Sequence, residues 1–258
     1  MPHHQELVVM IARGLLATLA VVLMAACSPA QGRRTSLELG DCLTPIHYVA
    51  LGDSTVEGIG ASHSNLNYVS RLHARLRARY PNATVTNLGV GGATSRDVMT
   101  RQLDRAIKRR PDLITLSIGP NDITRGIPVA QYQQHMNVIL GRLRRETTAL
   151  IVMNLLPDLT VTPRFATGPR TAVVGGQTVL FNEALAQKAR EYEVALVDLY
   201  LPSREEVPAQ PALLWKDRYH PSDAGYARWA ELMWEAIEPR LPACCPALET
   251  GFVTGACP

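Results

Sequence analysis

The chain has little of what many specialised protein classes depend on. Aromatic residues make up 5% of its 258 residues, and no basic stretch is interleaved with them, which argues against a surface that stacks single-stranded nucleic acid. Neither sign of charge dominates. The 26 Lys and Arg against 23 Asp and Glu leave a formal net charge of +3, so nothing in that balance demands a polyanionic partner. His47, His63, His73 and His135 are scattered without metal-ligand spacing and read as surface or hydrogen-bonded structural residues, so no metal or cofactor is expected. No internal repeat is visible. The glycine run from Gly89 to Gly92 lacks the full dinucleotide-binding spacing and has no well-placed acidic residue after a second strand. With 19% charged and 47% hydrophobic residues the composition is that of an ordinary globular protein. Its length suits one good-sized α/β domain and is too short for two comfortable ones.

The apolar run Leu15 to Ala26, with Arg13 before it, is short for a bilayer span unless Val8 to Ile11 are counted in. It ends in Met24-Ala25-Ala26-Cys27, which resembles the lipobox of bacterial lipoproteins, although Met24 stands where Leu is usual. Export is expected, to the cell envelope through a lipidated Cys27 or as a secreted protein; ordinary cleavage and an uncleaved anchor are the alternatives. The chain then divides into a signal peptide (1–27), a tether (28–43), a folded domain (44–241) and a Cys- and Pro-rich tail packed on it (242–258). Cys42, Cys244, Cys245 and Cys257 allow three pairings. The expected one brings the tail back so that one of its cysteines crosslinks to Cys42, as an oxidising compartment permits.

Apolar runs at 48–51, 85–90, 113–118, 149–156 and 195–199 alternate with helical stretches at 66–80, 95–108, 129–146, 180–192 and 223–237. Strands apolar throughout and separated by helices argue for a parallel sheet covered on both faces. The segment 157–176, with Arg164 and Arg170, reads as a loop at a substrate rim, and 202–214 reads as irregular. Trp229 and Trp234 read as core, and Trp215 as either pocket wall or core.

Four short stretches carry the chemistry. Ser54, in Gly52-Asp53-Ser54-Thr55, follows the first strand, where a parallel sheet exposes side chains on a rigid support. A serine hydroxyl is a weak nucleophile and needs a base, an orienting carboxylate and oxyanion donors. His220, set three residues after Asp217, supplies the base and the carboxylate. Pro221 disfavours helical geometry at His220 and keeps it at the mouth of the last helix. The Ser54 and Gly92 amides and the Asn121 side chain are the candidate oxyanion donors.

Together, Ser54 in Gly-Asp-Ser, Gly92 after Asn87, Asn121 in Gly-Pro-Asn-Asp, and Asp217 with His220 resemble the four blocks of the SGNH (GDSL-type) hydrolases, over roughly 47–241. Thr55 stands where the family usually has Leu, and Pro120 fixes the backbone before Asn121. The resemblance implies a flavodoxin-like three-layer α/β/α sandwich of about five parallel strands. It further implies a metal-independent serine esterase or lipase, monomeric and acting on small-molecule or lipid esters through an acyl-enzyme. The alternatives are an acyltransferase or polysaccharide O-deacetylase of the same fold, and a non-catalytic binding lipoprotein. The last would be expected to have lost a triad or oxyanion residue, and none is lost.

Overall fold

A computed structural model describes residues 42–242. The signal segment, most of the tether, Cys27 and the tail cysteines Cys244, Cys245 and Cys257 lie outside the described residues. Within them, five strands form one sheet: β1 (His47–Gly52), β2 (Thr84–Asn87), β3 (Leu113–Ser117), β4 (Leu150–Asn154) and β5 (Ala195–Val197). All neighbours are parallel, in the order β2-β1-β3-β4-β5. Because successive side chains point to opposite faces, each central strand feeds two cores. Val49, Leu51, Ile114, Leu116, Ile151 and Met153 enter one. Tyr48, Ala50, Leu113, Leu150 and Val152 enter the other. That double burial explains why these strands are apolar runs without alternation.

Nine α-helical segments are described: α1 (Ser54–Glu57), α2 (Tyr68–Arg79), α3 (Ser95–Asp97), α4 (Leu103–Lys108), α5 (Pro120–Thr124), α6 (Val129–Glu146), α7 (Thr171–Glu191), α8 (Tyr200–Ala209) and α9 (Asp223–Ile237). The first core is closed by Tyr132, Met136 and Ile139 of α6 and Phe181 and Leu185 of α7. The second is closed by Val69, Leu72 and Leu76 of α2 and Tyr226, Ala230 and Met233 of α9. The result is the expected three-layer α/β/α sandwich. From β1 the chain moves outward to β2 and then returns to β3 on the other side of β1. The carboxyl ends of β1 and β3 therefore flank the point where winding reverses, which is where open α/β sheets leave a crevice.

Three departures from the sequence reading have physical causes. The stretch 202–214 is not irregular throughout: α8 is capped by Asp198, whose Oδ1 accepts from the N–H groups of Tyr200 at 2.7 Å and Leu201 at 3.1 Å. Pro202 falls in its first turn, where no N–H is needed. Helix α7 begins nine residues before Leu180, running through Gly175 and Gly176 at the end of the segment that reads as a loop. The helix expected over 95–108 is interrupted by a π turn at Val98–Gln102, so α3 and α4 are separate pieces.

Candidate active site

The site begins with the backbone at the end of β1. Gly52 has φ +150°, and a Cβ there would lie 2.0 Å from the carbonyl oxygen of Ser117, so only glycine fits this turn beside β3. The Gln102 side chain, buried at the end of the π turn, accepts from the Gly52 N–H at 2.9 Å and donates to its carbonyl at 2.8 Å. Asp53 then caps α1, its Oδ1 accepting from the N–H and the hydroxyl of Thr55, both at 2.9 Å. Thr55 thus contributes a hydroxyl that a leucine there would lack. Ser54 is the first residue of α1, where the amide has no partner within the helix.

The segment between α8 and α9 folds back as a tight loop. Trp215 N–H donates to His220 O at 2.8 Å, and Arg218 N–H donates to Trp215 O at 2.7 Å. Arg218 takes φ +58° to complete the turn. Asp217 Oδ1 accepts from the N–H groups of Tyr219 and His220, both at 3.0 Å. Its other oxygen lies 2.6 Å from His220 Nδ1. His220 Nε2 in turn lies 2.9 Å from Ser54 Oγ. Two residues 166 positions apart are thereby joined through one imidazole. Gly60, at φ +101°, lets the loop after α1 pack under this one, since a Cβ there would lie 2.3 Å from Pro221 O.

Electrostatics separates the two nearby carboxylates. Burial pushes Asp53 up to about 6, against the lowering effect of Thr55 and His220. Burial also acts to raise Asp217, but hydrogen bonds from the His220 ring and from the His220 and Tyr219 amides outweigh it and hold the carboxyl below its usual range. Asp217 is therefore the group of the two suited to remain ionised opposite an imidazole.

The candidate oxyanion donors sit on two turns tied together. Asn121 Nδ2 donates to Ala93 O at 3.0 Å, next to the Gly92 peptide, and Arg125 donates to Gly92 O at 2.7 Å. Beneath them lies a group that sequence reasoning did not find. Ser95 Oγ donates to Asp122 Oδ1 at 2.5 Å, and the Ser95 amide donates to the same carboxylate. With its one proton committed, Ser95 Oγ accepts from His135 Nδ1 at 2.8 Å. All three residues are buried. Desolvation raises Asp122 and lowers His135. The network locks the turn after β2 to the turn after β3, and the one sequence signal near it was Asp122 beside Asn121.

A cleft opens at Ser54, Asn121 and His220 and continues between the segment 156–162, α8 and α9. Gly92 is not among its lining residues. Neither Arg164 nor Arg170 is among the residues lining it; the Arg164 guanidinium lies 4.9 Å from the Tyr219 ring, and Arg170 lies over Phe165 at 5.8 Å. Trp215 lies outside this cleft, stacked under Lys216, whereas Trp229 lines it. His63 is on the surface, 3.1 Å from Ser62 Oγ, and Asn67 caps α2.

Comparison with known proteins identifies the family. A model of the GDSL-like Lipase/Acylhydrolase family matches residues 50–228. Esterase TesA of Pseudomonas aeruginosa is 27% identical over 224 residues, 86% of this chain and 96% of that protein. The acetylxylan esterase of Geobacillus stearothermophilus is 28% identical over 200 residues, 74% of this chain and 87% of that protein. A crystal structure of TesA superposes with a TM-score of 0.61 at 25% identity, covering 76% of this chain and 99% of the other. The chain belongs to the GDSL-like lipase/acylhydrolase family and is a carboxylic ester hydrolase.

Proposed function

We propose that the protein cleaves esters through a covalent acyl-enzyme on Ser54, with His220 as general base and acid and Asp217 as the group that orients it. The observation that carries this reading is the unbroken chain from Asp217 Oδ2 to His220 Nδ1 at 2.6 Å and from His220 Nε2 to Ser54 Oγ at 2.9 Å. With the Nδ1 proton held by Asp217, the Nε2 lone pair faces the serine hydroxyl. As Ser54 Oγ bonds to the ester carbonyl carbon, its proton passes to Nε2 and the carbonyl oxygen becomes an oxyanion. Its proposed donors are the amides of Ser54 and Gly92 and the side chain of Asn121. Collapse breaks the ester C–O bond, and the leaving alkoxide departs as the alcohol with the proton from Nε2. Water then attacks the acyl carbon, gives its proton to Nε2, and the serine recovers that proton as the acid is released.

Ser54→Ala is expected to lower kcat on p-nitrophenyl acetate by at least about 10⁴-fold without unfolding the protein. Wild-type turnover in that variant would refute the mechanism. A second reading, O-deacetylation of a polysaccharide, is favoured by the likeness to an acetylxylan esterase. Acetate release from acetylated sugars against simple acyl esters separates the two, and transfer to added alcohols would reveal an acyltransferase.

Export of a monomer, anchored through Cys27 or secreted, is the proposed setting. It rests on the N-terminal sequence. The expected pairing of Cys42 with a tail cysteine belongs to the same proposal, since an oxidising compartment permits it.

A further inference from the structure

From the cleft that opens at Ser54, we infer that the enzyme takes medium-chain alkanoyl esters, with the acyl chain running along α9 and Leu232 setting its length. The inference rests on the reading of Ser54 as nucleophile and adds the substrate class. Gly225, Arg228, Trp229 and Leu232 of α9 all line the cleft. Their spacing of three, four and seven residues is one face of a helix, so the cleft follows α9 for two turns instead of crossing it. His220 and Pro221 stand just before the start of α9, which fixes the reacting end. Leu232 is the far end.

The span from Gly225 to Leu232 is about 10 Å at the helical rise, the length of an extended chain of roughly eight carbons. Leu159, Val161 and Val207 also line the cleft, so an alkyl group meets apolar side chains beyond those of α9. The polar side chains along the cleft, Asp158, Thr162, Ser203, Glu206 and Arg228, all have partners. Arg228 of α9 donates through Nε and Nη2 to the Glu206 carboxylate of α8, at 2.9–3.1 Å. This pair bridges the two helices that form the cleft, and the arginine stem adds apolar surface to its wall.

The reaction itself says which half of the ester belongs there. The alcohol must leave before water attacks, while the acyl group stays attached to Ser54 through both steps. A long cleft running between two helices suits the half that stays. Such a cleft leaves an acetyl group with most of the apolar wall uncovered, whereas each methylene that enters it strengthens binding about two- to fourfold.

The test is kcat/KM across p-nitrophenyl esters from acetate to palmitate at monomeric concentrations, for wild type and Leu232→Trp. Octanoate is expected to exceed acetate by at least about thirtyfold in the wild type. The bulkier side chain at the far end should lower that ratio at least about fivefold. Free octanoate should also slow fluorophosphonate labelling of Ser54 at concentrations where acetate does not, a readout that needs no turnover. Ser54-dependent hydrolysis that favours acetate, or an octanoate-to-acetate ratio unmoved in Leu232→Trp, overturns the acyl-chain assignment and leaves the triad standing. Absence of Ser54-dependent hydrolysis of any ester overturns both.

Discussion

Asp53 and Asp217 both feel His220, yet their surroundings shift them in opposite directions. Asp53 is fully enclosed and its carboxyl rises to about 6, so the folded state favours its protonated form. For a carboxyl raised in this way, the stabilising contribution is complete below the unfolded value near 4 and is lost as pH rises through about 6. Asp53→Asn keeps an oxygen for Thr55 but does not ionise. Its stability relative to wild type should therefore improve by up to about 3 kcal/mol between pH 4 and pH 7, measured by urea unfolding at each pH. A difference independent of pH would mean that the buried carboxyl is not strained by charge. Ser95 is a positioning residue of another kind, because it holds Asp122 and thereby the neighbouring Asn121. Ser95→Ala should cost about 1–3 kcal/mol of stability and lower kcat more than it raises KM, since the oxyanion forms only in the transition state. A change confined to KM would speak against a link to Asn121. The residues of the proposed triad were legible because each belongs to a short block with its own turn chemistry. The Ser95, Asp122 and His135 group was not, because His135 lies 40 positions from Ser95 and only the packing of α6 against α3 brings it there.

Elements explain where sequence patterning succeeds and where it misleads. Buried parallel strands leave an unmistakable trace, since both faces require apolar residues, and β1, β3 and β4 fall where the apolar runs place them. Helix α8 left no such trace. Its buried residue is Ser203, its outer face is charged, and Pro202 and Pro208 look like breakers. It forms because Asp198 caps it and because it walls the cleft, a tertiary reason that no local pattern carries. The π turn is likewise invisible to a 3.6-residue period, yet it delivers Gln102 to the end of β1. That side chain satisfies both backbone groups of Gly52, one residue before Asp53 and two before Ser54. Gln102→Leu should strand the Gly52 N–H in a buried site and leave its carbonyl with the Val90 N–H alone, lowering stability by about 1–3 kcal/mol and kcat by at least tenfold. Unaltered kcat in a folded variant would show that the turn holds its shape without the latch.

At the scale of the whole molecule, the sheet acts as the frame on which separate loops meet. The turns after β1, β2 and β3 carry Ser54, Gly92 and Asn121, and the reversal of winding between β1 and β3 opens the crevice that Ser54 and Asn121 border. The fourth block arrives from outside the sheet, at the entry to α9, which together with α2 also closes the second core. Fold and site are therefore coupled: the helix that closes the second core also sets His220 against Ser54 and forms a wall of the cleft. What the sequence could not reveal was the shape of that cleft, because it is made by α8 and α9 together with the loop after β4, none of which carries a motif.

The most direct check on this convergence is peptide mapping by mass spectrometry after treatment with a fluorophosphonate. The account predicts a single phosphonyl adduct on the peptide containing Ser54 and labelling at least about 100-fold slower in His220→Ala. Rapid labelling that persists in His220→Ala, or an adduct on any other residue, would contradict it.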